Sequence, residues 1–259
     1  MKKVIVIPAR YASTRLPGKP LRKIGGKPII RWVYEKAMES KLKDEVIIAT
    51  DDERIRQTGE SFGAEVVMTS PDCKSGTDRC WEAIQGRDVN IVVNLQGDEP
   101  FIRPDMVDTL FSSMEREQLD MATLASPIED AAEYGNPNIV KVVLDRFGFA
   151  LYFSRSPIPY LRGQGLKGPR VQGAKQTTPN SKLKTQNCTY KHIGIYAFSR
   201  SFLEKYVTME KSPLEETESL EQLRVLENGH KIKVLLTDYN GFGIDTEEDL
   251  KRAQSALIS

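Results

Sequence analysis

The sequence predicts an α/β fold built on a largely parallel, doubly wound sheet with helices on its faces. Short apolar runs alternate with amphipathic stretches along the first 95 residues, and polar motifs follow several of these runs directly. Charged residues make up 28% and hydrophobic residues 39% of the 259-residue chain, so it is apolar enough to bury a core. These observations together favour a globular α/β protein.

The first half of the chain alternates strand and helix signals. Residues 4–7 form a continuous apolar run, typical of a strand that is buried on both faces. Pro28 opens a helix, and further strands are predicted at residues 46–49, 65–68 and 90–95, with helices at 51–61 and 77–85 between them. Strands that alternate with helices indicate a parallel sheet, which binds ligands beyond the carboxyl ends of its strands.

The second half has shorter strand signals. Strands are predicted at residues 121–125, 140–144, 150–153, 193–198 and 231–236, and the first four indicate a small mixed-sheet extension. A helix is predicted at residues 218–228, ended by Gly229. A C-terminal helix begins at Thr246, and acidic residues in its first turn favour the helix dipole.

Several classes of protein are excluded by composition. The net charge of +1 and the lack of a basic, aromatic face argue against a nucleic-acid-binding module. No stretch approaches the roughly 18 apolar residues of a membrane helix, and the first apolar run is too short for a signal peptide. The three cysteines form no C-x-x-C pair, and two histidines cannot build a multi-histidine centre. We expect a cytoplasmic enzyme or binding protein with reduced thiols.

The segment between residues 162 and 189 is rich in glycine, proline and lysine or arginine and contains few apolar residues. Ordering such a loop costs about 1–2 kcal/mol per residue, so we expect it to be flexible without a ligand. It is either a solvated insertion or a lid over an anionic substrate.

A basic loop follows the first strand. It spans residues 8–20 and combines hydroxyl groups and backbone N–H groups with three cations. A triphosphate needs this set of donors, because cations supply charge and the hydroxyl and backbone groups fix its shape. The three cations are Arg10, Arg15 and Lys19. The alternative is an ordinary basic surface loop.

Two carboxylates predict a magnesium site. Asp98 follows the strand at residues 90–95, with Gly97 allowing a close approach of the backbone to a nucleotide, and Asp245 precedes the last helix. Two carboxylates about 4 Å apart repel each other by roughly 4 kcal/mol at a surface-like dielectric, and a shared Mg²⁺ would reverse that sign. The alternative for Asp245 is a neighbour of the helix N-cap.

A Ser-Gly turn at residues 75–79 precedes a predicted helix. Its backbone N–H groups could contact the edge of a pyrimidine. A simple helix cap explains the same residues equally well.

Several motifs, in order, resemble the CMP-Kdo synthetase (3-deoxy-manno-octulosonate cytidylyltransferase) family. They are PARYASTRLPGKPL, ATDDERI, SGTDR, NLQGDEP, VKVVLD, LYFSRSPIPY, KHIGIYAF, LEQLRVLENG and IDTEEDL, and they run from Val4 to about Leu250. The resemblance implies a nucleotide-diphosphosugar-transferase (Rossmann-like) fold, a homodimer, and activation of Kdo with CTP for lipopolysaccharide biosynthesis. It also implies one domain, with a nucleotide-binding half at residues 1–120, a sugar-binding and dimerisation part at 121–230, and a return to the main sheet at 231–259.

The resemblance also implies residue roles. Arg10, Lys19 and Asp98 would be catalytic, and Asp98 and Asp245 would bind Mg²⁺. Cytidine and triphosphate contacts would come from the following residues: Arg10, Ser13, Arg15, Lys19, Ser75, Gly76, Arg79 and Gln96. The sugar pocket would consist of Gln96, Arg155, His192, Tyr196, Glu221 and Gln222. No side chain is placed so that it must act as general base, and we expect the metal to lower the pKa of the attacking hydroxyl.

Alternatives stay open at this level. His192 could be a satisfied, half-buried histidine, Tyr196 a core residue, and Glu221 a surface partner of Arg224 at i+3. The acceptor could be another acidic ulosonic sugar, such as 8-amino-Kdo or a sialic acid. A non-catalytic nucleotide sensor on the same fold is the other class, although Lys19 and the metal carboxylates that a sensor would lack are present.

Overall fold

The computed structural model describes residues 1–13, 15–162 and 189–256. The strands are β1 (Lys3–Ala9), β2 (Lys23–Ile24), β3 (Lys27–Pro28), β4 (Glu45–Thr50), β5 (Glu65–Met68), β6 (Ile91–Asn94), β7 (Met121–Pro127), β8 (Lys141–Leu144), β9 (Ala150–Ser154), β10 (Tyr190–Ser199) and β11 (Lys233–Leu236). The helices are α1 (Ile29–Met38), α2 (Glu53–Ser61), α3 (Gly76–Ile84), α4 (Pro104–Glu117), α5 (Ala131–Gly135), α6 (Arg200–Thr208), α7 (Pro213–Glu218), α8 (Leu223–Glu227) and α9 (Glu247–Ala256), with a 3-10 turn at Lys19–Leu21.

The chain divides into two compact units. Unit 1 comprises Met1–Thr123, Gly194–Met209 and Tyr239–Ser259. Unit 2 comprises Leu124–Ile193 and Glu210–Asp238. The chain passes from one unit to the other within β7 and again within β10. The division into a nucleotide-binding half, a sugar-binding part and a returning segment stays a prediction.

The sheet of unit 1 has the strand order β10-β6-β1-β4-β5. Strands β6, β1, β4 and β5 run parallel to their neighbours, and β10 runs antiparallel to β6. Residues 4–7 of the central β1 are fully buried, and α1 and α3 pack against this strand while α4 packs against β6. The predicted α/β class, a largely parallel sheet flanked by helices, is confirmed. A separate two-stranded antiparallel sheet pairs β2 with β3.

Local sequence explains where the helices of unit 1 lie. In α1, Ile29, Ile30 and Val33 are buried on one stripe, as the helical period requires. Helix α4 was not predicted, although Pro104 stands at its first turn, the position where proline suits a helix. Among the described residues, no helix is both long enough and apolar enough to span a membrane.

Unit 2 contains antiparallel strands, as the predicted extension requires. Strand β8 pairs with β9 through a register shift between Val143 and Leu144, and the start of β10 pairs with β8. Strand β11 lies beside β7. The predicted flexible loop at residues 162–189 falls almost entirely on residues 163–188, which lie outside the described residues.

The predicted helix at residues 218–228 is wrong in its extent. Helix α7 ends at Glu218, Ser219 adopts a left-handed conformation with φ of 53°, and α8 begins only at Leu223. The guanidinium of Arg155 donates hydrogen bonds to the backbone oxygens of Glu218 and Ser219 at 2.8 and 3.4 Å. These bonds satisfy carbonyls that a continuous helix would have used, so residues 219–222 form a turn.

Candidate active site

The loops after the parallel strands of unit 1 meet at one edge of the sheet. Strand β1 ends at Ala9, which lies opposite Thr50, the last residue of β4, and Val6 lies opposite Asn94, the last residue of β6. A cleft of about 300 Å³ lies beyond these ends. Its lining consists of Pro8, Ala9, Arg10, Ser13, Arg15, Lys19, Pro20, Cys73, Lys74, Ser75, Gly76, Arg79, Gln96, Gly97, Asp98 and Asp245. The residues predicted for the nucleotide and the metal are therefore all brought together.

The basic loop after β1 is held by its own contacts. The N–H of Gly18 donates to the carbonyl of Tyr11 at 3.0 Å, and the N–H of Leu16 donates to Ser13 Oγ at 3.3 Å. The side chain of Leu16 is fully buried, and the Arg54 guanidinium lies 3.3 Å from the centroid of the Tyr11 ring. The loop is thus anchored at both ends, and its cations are presented to the cleft.

Lys19 joins the two predicted metal carboxylates. Its ammonium lies 2.5 Å from Asp98 Oδ2 and 2.9 Å from Asp245 Oδ1. Arg15 adds a second contact to Asp245, with Nη2 3.0 Å from Oδ2. The side chain of Lys19 is only 16% exposed, whereas that of Arg15 is 61% exposed, so solvent screens the arginine contact more strongly.

The electrostatic balance at Lys19 favours the charged form. Burial by itself lowers the pKa of this ammonium, but attraction to Asp98 and then to Asp245 outweighs burial, and the pKa is raised overall. At the neighbouring Glu99, by contrast, the neutral form is favoured. Burial first, and then repulsion from Asp98 and Asp245, raise the pKa of Glu99 to about 8. Near neutral pH, the protonated, neutral form of Glu99 is therefore favoured at this end of the cleft.

The donor set at this point suits a divalent cation. One oxygen of Asp98 and one of Asp245 already converge on a single cationic atom, the nitrogen of Lys19. Within the part of the chain that is described, no cluster of three or more acidic, histidine or cysteine residues forms a closed metal cage. Two carboxylates with open positions fit Mg²⁺, which keeps waters and takes phosphate oxygens as further ligands.

The start of α3 contributes a capped turn to the cleft. Ser75 Oγ accepts a hydrogen bond from the N–H of Asp78 at 3.1 Å, and Asp78 Oδ2 accepts one from the N–H of Ser75 at 2.8 Å. This is a capping box, so the helix-cap interpretation of the motif is correct, and the same turn also lines the cleft. Sequence reasoning missed Lys74 and Cys73 here; a cation directly before the motif was the available signal for Lys74.

Arg79 and Gln96 are each fixed by other side chains. The Arg79 guanidinium is buried, donates to Thr69 Oγ1 and lies 3.2 Å from Asp51 Oδ2. Gln96 Nε2 donates to Asn94 Oδ1 at 3.1 Å. These partners hold both predicted nucleotide ligands in one orientation at the wall of the cleft.

The position of Gly97 has a packing reason. A Cβ atom at this residue would lie 3.0 Å from the carbonyl oxygen of Pro8 and 3.5 Å from Ile30 Cδ1. Glycine therefore lets the segment before Asp98 pack directly against the end of β1. The close approach of this backbone to a nucleotide stays a prediction.

The predicted sugar-pocket residues are distributed over both units. Gln96 and Tyr196 belong to unit 1, and Arg155, His192, Glu221 and Gln222 belong to unit 2. Tyr196 is buried, with 5% of its surface exposed and its ring centroid 6.1 Å from that of Phe198. This burial is compatible with the core-residue alternative, and the sugar contact of Tyr196 stays a prediction.

Within unit 2, Arg155 and His192 are both constrained. Besides its bonds to the end of α7, Arg155 donates to the carbonyl of Pro137 at 3.1 Å. The His192 ring makes an edge-to-face contact with Phe153 at 5.0 Å between centroids. Burial lowers the pKa of His192 to about 3, so the imidazole is neutral near pH 7. It can exchange hydrogen bonds but supplies no positive charge.

The turn between α7 and α8 holds Glu221 and Gln222. Gln222 is 2% exposed, and its Nε2 makes no hydrogen bond to the residues that the structure describes. In α8, the guanidinium of Arg224 donates two hydrogen bonds to the carboxylate of Glu215. Nε lies 2.7 Å from Oε2, and Nη2 lies 2.5 Å from Oε1.

A buried lysine that sequence reasoning missed supports the same region. Lys141 in β8 is fully buried, and its ammonium donates to the carbonyls of Asn136 at 2.9 Å, Ile139 at 2.6 Å and Arg155. The motif VKVVLD contains this residue, but an alternating strand pattern gave no reason to expect a buried charge.

Known proteins resemble this chain along its whole length. The family model for cytidylyltransferases matches residues 4–232. A protein named 3-deoxy-manno-octulosonate cytidylyltransferase from Thermodesulfovibrio yellowstonii is 51% identical, over 99% of this chain and 98% of its own. The protein of the same name from Porphyromonas gingivalis is 48% identical, over 99% and 96%. A solved structure of CMP:2-keto-3-deoxy-manno-octonic acid synthetase complexed with CTP has a TM-score of 0.88 and 42% identity, and the match covers 100% of this chain and 99% of that one.

Proposed function

The chain belongs to the cytidylyltransferase family, and we propose that it transfers CMP from CTP to 3-deoxy-D-manno-octulosonate (Kdo). The products are CMP-Kdo and pyrophosphate, and the activated sugar serves lipopolysaccharide biosynthesis. The observation that carries the proposal is the full-length identity to relatives with this name, together with a cleft that combines basic and acidic groups at the carboxyl ends of the strands. We extend the proposal to a cytoplasmic homodimer on the basis of the family resemblance.

The nucleotide occupies the cleft of unit 1 in this proposal. Arg10, Ser13, Arg15 and Lys19 bind the triphosphate, because they present charge and hydrogen-bond donors from one anchored loop. The capped turn at Ser75 and Gly76, with Arg79 and Gln96 beside it, holds cytidine. The fixed orientation of the last two side chains supports a positioning role for them.

Asp98 and Asp245 hold Mg²⁺ in this proposal. When bound, the ion would neutralise negative charge on the transferring and leaving phosphate groups. The oxygen of the anomeric hydroxyl of Kdo forms a bond to the α-phosphorus, the bond between that phosphorus and the oxygen of the leaving pyrophosphate breaks, and the hydroxyl proton passes to solvent water. Lys19 stabilises the charge that accumulates on the phosphates, so the chain acts mainly by positioning and electrostatics.

The sugar contacts are assigned to Gln96, Arg155, His192, Tyr196, Glu221 and Gln222. A neutral His192 suits a sugar hydroxyl better than a carboxylate, because a hydroxyl both donates and accepts hydrogen bonds. Gln222 Nε2 is a buried donor that the described residues leave unused, which supports a contact to substrate. Arg155 is the cation of the set, and its bonds to backbone carbonyls fix the plane in which it meets the sugar carboxylate.

Pyrophosphate release tests the proposal. Purified protein is incubated with CTP, Mg²⁺ and Kdo, beside matched reactions with 8-amino-Kdo, a sialic acid or no sugar, and each is repeated with a chelator in place of Mg²⁺. Release with Kdo that stops with the chelator is the expected result. Release only with another sugar would show that this sugar is the acceptor and would leave the proposed reaction with CTP unchanged. No release with any sugar, from protein that still binds CTP, would favour a nucleotide sensor.

A further inference from the structure

The groups assigned to phosphate and the groups assigned to metal neutralise each other in the free protein. Lys19 contacts both Asp98 and Asp245, at 2.5 and 2.9 Å, and Arg15 contacts Asp245 at 3.0 Å. Arg10 differs, because it makes no ion pair with any residue that the structure describes. Two of the three cations of the basic loop thus already have anionic partners.

These ion pairs oppose the binding of the divalent cation alone and of the triphosphate alone. A divalent cation that approaches Asp98 and Asp245 meets the ammonium of Lys19 in the position between them. A metal-free triphosphate must take Lys19 and Arg15 away from the carboxylates, which then face the added phosphate charge without a cation. Removing one partner from a part-buried ion pair is costly, because the charge left behind is uncompensated.

Neither cost arises when the divalent cation and the triphosphate bind together. The carboxylates then exchange the ammonium and guanidinium for the metal, while the two cations exchange the carboxylates for phosphate oxygens. Every charge keeps an opposite partner throughout the exchange. By linkage, any favourable coupling must raise the affinity for metal and the affinity for nucleotide by the same factor.

We propose that Lys19 and Arg15 are resident counter-ions of Asp98 and Asp245, and that their ion pairs make the site admit divalent cation and triphosphate jointly. The inference rests on the proposed function and adds a coupling between metal binding and nucleotide binding at the same site. Lys19 thereby has two roles, as a substitute for the metal in the free protein and as a phosphate ligand in the complex. This coupling suppresses occupation by metal alone and by metal-free nucleotide alone.

The first test measures CTP binding in the presence of a chelator by isothermal titration calorimetry. The variant Asp245→Asn retains the size of the side chain but releases Lys19 and Arg15 from one carboxylate. We expect it to bind metal-free CTP at least tenfold more tightly than the wild type does. The matched control is Glu247→Gln, which removes an exposed charge paired with Arg22, outside the cleft lining, and should change this affinity less than twofold.

The second test measures binding of Mn²⁺ alone from the electron paramagnetic resonance signal of the free ion. In Lys19→Met the ammonium no longer competes for the carboxylates, and we expect at least tenfold tighter Mn²⁺ binding than in the wild type. Lys23→Met, an exposed lysine in β2, is the control and should leave Mn²⁺ affinity unchanged. Circular dichroism melts establish that each variant is folded before its affinity is compared.

The outcomes separate this inference from the proposed function. Folded Asp245→Asn that binds metal-free CTP no better than the wild type would overturn this coupling, as would folded Lys19→Met with unchanged Mn²⁺ affinity. The proposed function survives either result if wild-type protein still releases pyrophosphate with Kdo. Wild-type protein that fails to bind CTP even with metal present would overturn both.

Discussion

Lys141→Met is expected to destabilise the protein and to weaken its use of the sugar more than its use of CTP. The ammonium of Lys141 is fully buried and donates to the carbonyls of Asn136, Ile139 and Arg155. Methionine has a similar length and fits the same space, but it donates no hydrogen bond. All three carbonyls therefore lose this donor.

The size of the effect follows from two opposing contributions. Hydrogen bonds to a charged group contribute about 1.5–3 kcal/mol each, so three of them contribute roughly 4.5–9 kcal/mol. Methionine avoids the desolvation of the ammonium, which offsets several kcal/mol of that amount. Burial is also what lowers the pKa of Lys141, so the desolvation cost is present in this structure. We expect a net loss of about 2–4 kcal/mol in the free energy of unfolding.

The functional consequence concerns Arg155. The ammonium of Lys141 donates to the backbone carbonyl of Arg155. The guanidinium of Arg155 donates in turn to the carbonyls of Pro137 and of Glu218 at the end of α7. In the proposed function Arg155 binds the sugar carboxylate, so a displaced guanidinium would weaken that contact. We therefore expect the KM for Kdo to rise at least fivefold, while the KM for CTP changes less than twofold.

Urea denaturation followed by circular dichroism measures the stability, and pyrophosphate release with each substrate varied separately measures the two KM values. The control is Lys231→Met, an exposed lysine of unit 2, which should change the free energy of unfolding by less than about 0.5 kcal/mol. A Lys141→Met protein as stable as this control would refute the hydrogen-bond argument. Equal increases in both KM values would refute the link to the sugar.

Three further predictions concern single residues. Asp98→Asn should lower turnover at least a hundredfold while weakening CTP binding only modestly in the presence of Mg²⁺, and unchanged turnover would rule out Asp98 as a metal ligand. Gly97→Ala places a Cβ atom 3.0 Å from the Pro8 carbonyl and should cost about 1–3 kcal/mol of stability and roughly tenfold in activity. Gly135→Ala, whose Cβ meets nothing within 4 Å, should match the wild type in activity. Because the pKa of His192 is about 3 in the folded state and near 6.5 when unfolded, only the unfolded state gains a proton as pH falls below 6.5. Between pH 7.5 and 5.5 the wild type should therefore lose about 1.4 kcal/mol more stability than His192→Gln, and equal losses would contradict this.

The alternation of apolar runs and amphipathic stretches was sufficient to predict the sheet of unit 1. Residues 4–7 are fully buried in the central strand because they have no polar residue among them, and this property is local to the sequence. The break between α7 and α8 could not be predicted in the same way. It depends on Arg155, which donates to the carbonyl of Glu218, 63 positions further along the chain. A periodic pattern contains no information about such a distant partner.

The site shows the same limit. The loop after β1 and Asp98 after β6 could be predicted to lie together, because the carboxyl ends of neighbouring parallel strands meet at one edge of the sheet. Asp245, which precedes α9, has no such strand signal. The pairing of these residues could not be predicted, since Lys19 reaches Asp98 across 79 positions and Asp245 across 226. Nothing in the loop sequence distinguishes Lys19 and Arg15, which have carboxylate partners, from Arg10, which has none among the described residues.

The internal ion pairs also explain how a nearly neutral chain can handle a polyanion. A net charge of +1 gives no strong long-range field to attract a triphosphate. Unpaired cations in a cleft would bind it tightly but would hold pyrophosphate equally well after the reaction. When Lys19 and Arg15 exchange carboxylates for phosphates, most of the Coulombic gain is offset by the pairs that are lost. Binding that is equally strong in the ground state and the transition state adds nothing to turnover, so this offset leaves the cations to act where charge develops. It also lets the site re-form its own ion pairs as the product leaves.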